Sequence, residues 1–130
     1  MIFWYHEGMI PRQTDKARLE ELLAAFPVTA IVGPRQCGKT TLARQFGAEH
    51  FFDLENPRDA ALLAEPQLAL EALSGLIVID EIQRLPGLFP LLRHLVDTRP
   101  EQRYLILGSA SRDLLRQSAE SLAGRIAYHE

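Results

Sequence analysis

Short apolar runs alternate with amphipathic stretches along the chain. Val28–Val32, Leu76–Ile79 and Tyr104–Leu107 are apolar or β-branched throughout, whereas residues 15–26 place leucines and Phe26 at helical spacing. Strands of a parallel sheet are buried on both faces, so they are apolar throughout rather than alternating, and helices connect them. The pattern therefore predicts an α/β domain in which helices cover both faces of a parallel sheet.

Turn and capping residues set the limits of the other predicted elements. Asn56 is suited to cap a helix, and Pro57 to occupy its first position. The full set is a helix at 15–26, strand 28–32, loop 33–38, helix 39–46, strand 50–54, a helix from 56 interrupted at 65–66 and resuming to 73, strand 76–79, helix 88–97, strand 104–107, helix 111–122, and the start of a fifth strand at 125–129.

Composition narrows the class of protein without identifying it. The 130 residues carry a net charge of -3, with 47% hydrophobic and 24% charged side chains, as in ordinary globular domains. No basic block indicates nucleic-acid binding, although nucleic acid stays open as a partner. The single cysteine, Cys37, excludes an internal disulfide. No apolar run is long enough for a membrane span and no signal peptide is evident, so we expect a cytoplasmic protein without a membrane partner.

The segment Gly33–Thr40 matches the phosphate-loop pattern G-x-x-x-x-G-K-[ST]. Its glycines let backbone N–H groups approach phosphate oxygens, and the following helix adds the favourable field of its N-terminus. Lys39 supplies positive charge to the phosphates, and the Thr40 hydroxyl is a ligand for Mg²⁺. The residues predicted to bind nucleotide here are Gly33, Pro34, Arg35, Gln36, Cys37, Gly38, Lys39, Thr40 and Thr41.

Two adjacent carboxylates, Asp80 and Glu81, end the apolar run that begins at Leu76. A carboxylate at the end of a buried parallel strand is placed to hold Mg²⁺, and a second one to polarise an attacking water. We assign Asp80 to the metal and Glu81, with Lys39, to catalysis. Successive strand residues point in opposite directions, so a turn after Asp80 must redirect Glu81.

Together these segments resemble the Walker A motif (residues 33–40) and Walker B motif (76–81) of predicted prokaryotic ATPases of the AAA+ superfamily. Asp80–Pro86 and Leu107–Ser111 are also similar. The resemblance implies a P-loop NTPase three-layer sandwich with sheet order 5-1-4-3-2, ATP and Mg²⁺ as ligands, and a possible homo-oligomer. It further implies that residues 1–130 are the nucleotide-binding core of a longer chain whose C-terminal domain is missing here.

Two further residues have assignments that stay open. Ser109 falls where AAA+ proteins place a sensor residue, more usually asparagine; it either contacts phosphate or water, or caps a helix. Arg125 either contacts phosphate, within the subunit or across an interface, or is a surface residue.

Three functions are compatible with these motifs. The first is Mg-dependent ATP hydrolysis, and the second is an ATP-dependent conformational switch with little hydrolysis. The third, a kinase, is disfavoured because a water-polarising Glu81 would compete with transfer to another acceptor.

Overall fold

A parallel five-stranded sheet forms the centre of the computed structural model, which describes residues 2–4, 13–32, 43–108, 116, 120 and 122. The strands are β1 (Ile2–Trp4), β2 (Val28–Val32), β3 (His50–Asp53), β4 (Gly75–Asp80) and β5 (Gln102–Gly108). The helices are α1 (Gln13–Ala25), α2 (Pro57–Leu62), α3 (Pro66–Glu71) and α4 (Leu88–Thr98), with a 3₁₀ turn at Ile82–Arg84.

The strands lie in the order β1-β2-β5-β4-β3, with every neighbouring pair parallel. The predicted four-strand order 1-4-3-2 is therefore confirmed, and β5 separates β2 from β4 as expected. The edge beside β2 differs from the prediction. Ile2 pairs there with Ala30 and Trp4 with Val32, at the place assigned to a strand from residues 125–129. Residues 125–129 lie outside the described part of the chain.

Apolar side chains fill both faces of the sheet and give it two helical layers. On one face, buried residues of β2, β4 and β5 pack against α3 and α4, and against Leu63 directly after α2. On the other face, Leu19 and Leu22 of α1 pack with Ile31, Val78 and Ala43, and Ala43 lies in a helical turn. Continuous apolar strands are explained by this burial on both faces, and the predicted three-layer arrangement is confirmed.

Local boundaries follow the capping residues closely. Asn56 accepts a hydrogen bond from the Arg58 N–H at 3.0 Å and Pro57 begins α2, as predicted. A helix-start role for Asp53 is also seen, because its backbone N–H donates to Asp59 Oδ2 at 2.9 Å. Gly47, predicted to end the preceding helix, has φ +62°, which favours glycine.

Candidate functional site

The candidate site begins with the alignment of strand ends at the carboxyl edge of the sheet. Ala30 of β2 and Ile79 of β4 both pair with Ile106, so Asp80 lies level with the last residues of β2. Neighbouring strands are spaced about 4.8 Å apart, which separates β2 from β4 by about 10 Å. Ligands of open α/β sheets bind outside this edge, so the chain leads into residues 33–40 beside the acidic end of β4.

Both carboxylates at the end of β4 are buried. Asp80 is 5% exposed and Glu81 is 8% exposed, rather than forming a solvated acidic turn. Aspartate and glutamate are rarely buried unless their charge is compensated. The backbone of Asp80 is fixed as well, because its carbonyl accepts a hydrogen bond from the Leu54 N–H at 3.1 Å. Buried carboxylates at a ligand-binding edge are candidates for function.

The backbone turns at Glu81. Its φ of 59° and ψ of 45° lie in the left-handed region, and no other described non-glycine residue has a positive φ. Such a conformation costs a side chain-bearing residue about 1 kcal/mol or more and is concentrated at functional sites. The turn redirects Glu81 away from the alternation of the strand, as its assignment requires. The 3₁₀ turn then follows, with the Arg84 N–H donating to the Glu81 carbonyl at 3.0 Å.

Side chains around the turn hold it to the rest of the domain. Ile82 is 1% exposed and is part of the core beside α4. Gln83 Nε2 donates to Glu81 Oε2 at 2.5 Å. Arg84 forms an ion pair with Glu55 at 3.4 Å, but both side chains are substantially exposed, so the pair contributes little stability. Sequence reasoning named Gln83 only as part of the motif, and no sequence signal indicates its contact with Glu81.

The remaining predicted site residues lie outside the described part of the chain. They are residues 33–41, Ser109 and Arg125, so their assignments stay predictions. Among the described residues, no group of three or more histidine, cysteine or acidic side chains is arranged to hold a metal ion. A single buried carboxylate such as Asp80 nevertheless fits Mg²⁺, which is commonly held by one or two carboxylates, water and substrate phosphates.

The left-handed backbone at Glu81 gives a prediction about stability. Glu81→Gly should be more stable than Glu81→Ala by about 1 kcal/mol, because both remove the carboxylate but only glycine adopts positive φ without a steric cost. Urea unfolding of the two variants measures the difference. The matched pair is Glu20→Gly and Glu20→Ala on exposed helix α1, where alanine should be favoured by a similar amount. Equal stability of the two Glu81 variants would contradict the left-handed turn.

A parallel sheet of this order, with a phosphate-loop sequence after β2 and a buried Asp-Glu pair after β4, is typical of P-loop nucleotide-binding domains. A family model described as an AAA domain matches residues 25–130, and the chain belongs to this family. AAA domains are P-loop domains and typically ATPases.

Relatives of the chain occur in mycobacteria. Uncharacterized proteins of Mycobacterium bovis and Mycobacterium tuberculosis are each 57% identical to it over 127 residues, covering 94% of this chain and 29% of their own length. The chain thus spans less than a third of these relatives. No solved structure matches it. None of the helices in the described residues has the length and apolar character needed to cross a membrane.

Proposed function

We propose that this chain binds ATP with Mg²⁺ and hydrolyses it. The observation that supports the proposal best is the burial of both Asp80 and Glu81 at the sheet edge where β2 leads into residues 33–40. Membership of the AAA domain family supports the same conclusion. The edge brings together an acidic pair and a phosphate-loop sequence at a separation suited to a triphosphate.

Each residue has a distinct role in the proposed reaction. Backbone N–H groups of residues 33–40 and the Lys39 ammonium bind the phosphates. Thr40 and Asp80 hold Mg²⁺, which neutralises charge on the phosphate oxygens when bound. Glu81 accepts a proton from the attacking water. Its burial keeps the carboxylate in a fixed position, so it needs little reorganisation during the reaction.

The proposal is tested first by nucleotide binding and phosphate release. Isothermal titration with ATP and Mg²⁺ should give a dissociation constant, and single-turnover experiments should detect inorganic phosphate. Tight binding without detectable phosphate release would instead favour the conformational switch. Transfer of the phosphate to a second molecule in place of water would favour the kinase. No binding of ATP would contradict all three functions.

Lys39→Ala should weaken ATP binding by about 1.5–3 kcal/mol, or roughly 10- to 150-fold in Kd, because a charge-assisted contact to phosphate is lost. The chain has two lysines, so Lys16→Ala in α1 is a control with the same change of charge. Titration calorimetry with ATP compares the two variants. If both bind ATP as tightly as the unchanged chain, the assignment of Lys39 is wrong.

A further inference from the structure

Gln83 lies against the carboxylate proposed to activate water. Its Nε2 donates to Glu81 Oε2 at 2.5 Å. A carboxylate can only accept hydrogen bonds, so the NH₂ end of the amide must face Glu81. This fixes the orientation of the amide, which distances alone do not reveal. The contact occupies Glu81 Oε2 with a neutral donor.

The opposite end of the same amide is not satisfied. Gln83 Oε1 is buried and has no hydrogen-bond partner among the described residues. A buried carbonyl without a partner costs about 1–3 kcal/mol. The amide therefore does not belong to a fully satisfied structural network. Its one printed side-chain hydrogen bond is the one to Glu81, which points to a role at that carboxylate.

The backbone around Gln83 keeps this contact in place. Gln83 is the central residue of the 3₁₀ turn Ile82–Arg84, and Ile82 anchors the turn in the core. The Arg84 N–H donates to the Glu81 carbonyl at 3.0 Å and closes the turn over Gln83. Glu81 and Gln83 therefore belong to one rigid turn, in which the left-handed backbone of Glu81 directs its side chain and Gln83 holds the end of it.

We propose that Gln83 is a positioning residue for Glu81, an inference that rests on the proposed ATP hydrolysis. Gln83 holds Oε2, so that Oε1 of the same carboxylate is presented to the attacking water. In the reaction, the water oxygen forms a bond to the γ-phosphorus while the bond from that phosphorus to the β–γ bridging oxygen breaks. The electron pair leaves with ADP, and the water proton passes to Glu81. Gln83 neither gains nor loses a proton; it restricts the rotation of the carboxylate that accepts one.

Two near-isosteric variants test the role of the amide. Gln83→Met removes the donor, and Gln83→Glu replaces it with a carboxylate that repels Glu81. We expect kcat for ATP hydrolysis to fall about ten- to hundredfold in Gln83→Met and further in Gln83→Glu. The Kd for ATP, measured by titration, should change less than twofold in Gln83→Met, because the contact is to Glu81 and not to the nucleotide. Gln67→Met on α3, where the side chain is exposed, is the matched control and should retain full kcat.

A double variant separates positioning from a general structural effect. In the Glu81→Gln background, Gln83→Met should cause no further loss of turnover, because both changes act through one group. Unfolding by urea checks that each variant is folded at the assay temperature. An unchanged or raised kcat in Gln83→Met, or an equal additional loss in the Glu81→Gln background, would overturn the inference.

The failure of this inference can be told apart from the failure of the proposed function. If the unchanged chain releases phosphate, Glu81→Gln does not, and Gln83→Met does so at the full rate, then ATP hydrolysis stands and the positioning role is wrong. If the unchanged chain releases no phosphate, or Glu81→Gln does so at the full rate, then both are wrong.

Discussion

Glu81→Gln is expected to bind ATP as the unchanged chain does while its turnover falls about 10²–10⁴-fold, the range that a positioned general base contributes. The substitution keeps the size of the side chain and leaves an amide oxygen able to accept the Gln83 hydrogen bond. It removes only the ability to take a proton from water. The left-handed backbone at Glu81 tolerates glutamine as well as it tolerates glutamate, because both carry the same Cβ.

The measurement combines single-turnover phosphate release with titration of ATP. Glu101→Gln is the matched control, because Glu101 is exposed in the loop before β5, at the opposite edge of the sheet. This control should retain full turnover. If Glu81→Gln hydrolyses ATP at the full rate, another group activates the water. If it loses ATP binding together with turnover, Glu81 acts in binding rather than in the chemical step.

The sheet was predictable from sequence because its strands are buried on both faces. Val28–Val32, Leu76–Ile79 and Tyr104–Leu107 are apolar or β-branched runs without the alternation of a half-exposed strand. The three residues of β1 gave no such signal, since Ile2–Trp4 is too short for any periodicity to emerge, even though isoleucine, phenylalanine and tryptophan favour strands. Its pairing with β2 depends on contacts distant in sequence.

The candidate site was predictable only in part, for a related physical reason. The end of an apolar strand locates Asp80 and Glu81, and side-chain alternation requires a turn between them. The contact between Gln83 and Glu81 depends instead on the 3₁₀ turn and on rotamers that packing selects. Local sequence therefore identified the two carboxylates but not the amide that restrains one of them.

A second large effect is expected at the opposite, amino edge of the sheet, where Gln102 is completely buried at the start of β5. Its Nε2 donates to the carbonyls of Leu70 and Leu73 at 2.8 and 2.9 Å, and its Oε1 accepts from the Tyr104 hydroxyl at 2.8 Å. Burial raises the pKa of that hydroxyl above its ordinary value, so Tyr104 stays a neutral donor at neutral pH. The side chain of Gln102 thus links the end of α3 to β5.

Gln102→Met is expected to lower the free energy of unfolding by about 2–4 kcal/mol, because it leaves a buried carbonyl and a buried hydroxyl without their partner. Urea unfolding measures the loss, and Gln67→Met, the same substitution at an exposed site on α3, should change stability by less than about 0.5 kcal/mol. Adding Tyr104→Phe should recover part of the loss, since it removes one of the two unsatisfied groups. A cost equal to that of Gln67→Met would contradict the network.

The same variant tests whether the two edges of the sheet have separate roles. Gln102 lies at the amino end of β5, and the candidate site lies beyond the carboxyl ends of β2 and β4. At a temperature where Gln102→Met is fully folded, its Kd for ATP and its turnover should equal those of the unchanged chain. Loss of ATP binding by the folded variant would mean that the hydrogen bonds at the amino edge also determine the geometry of the carboxyl edge, and that stability and nucleotide binding in this domain are coupled through β5.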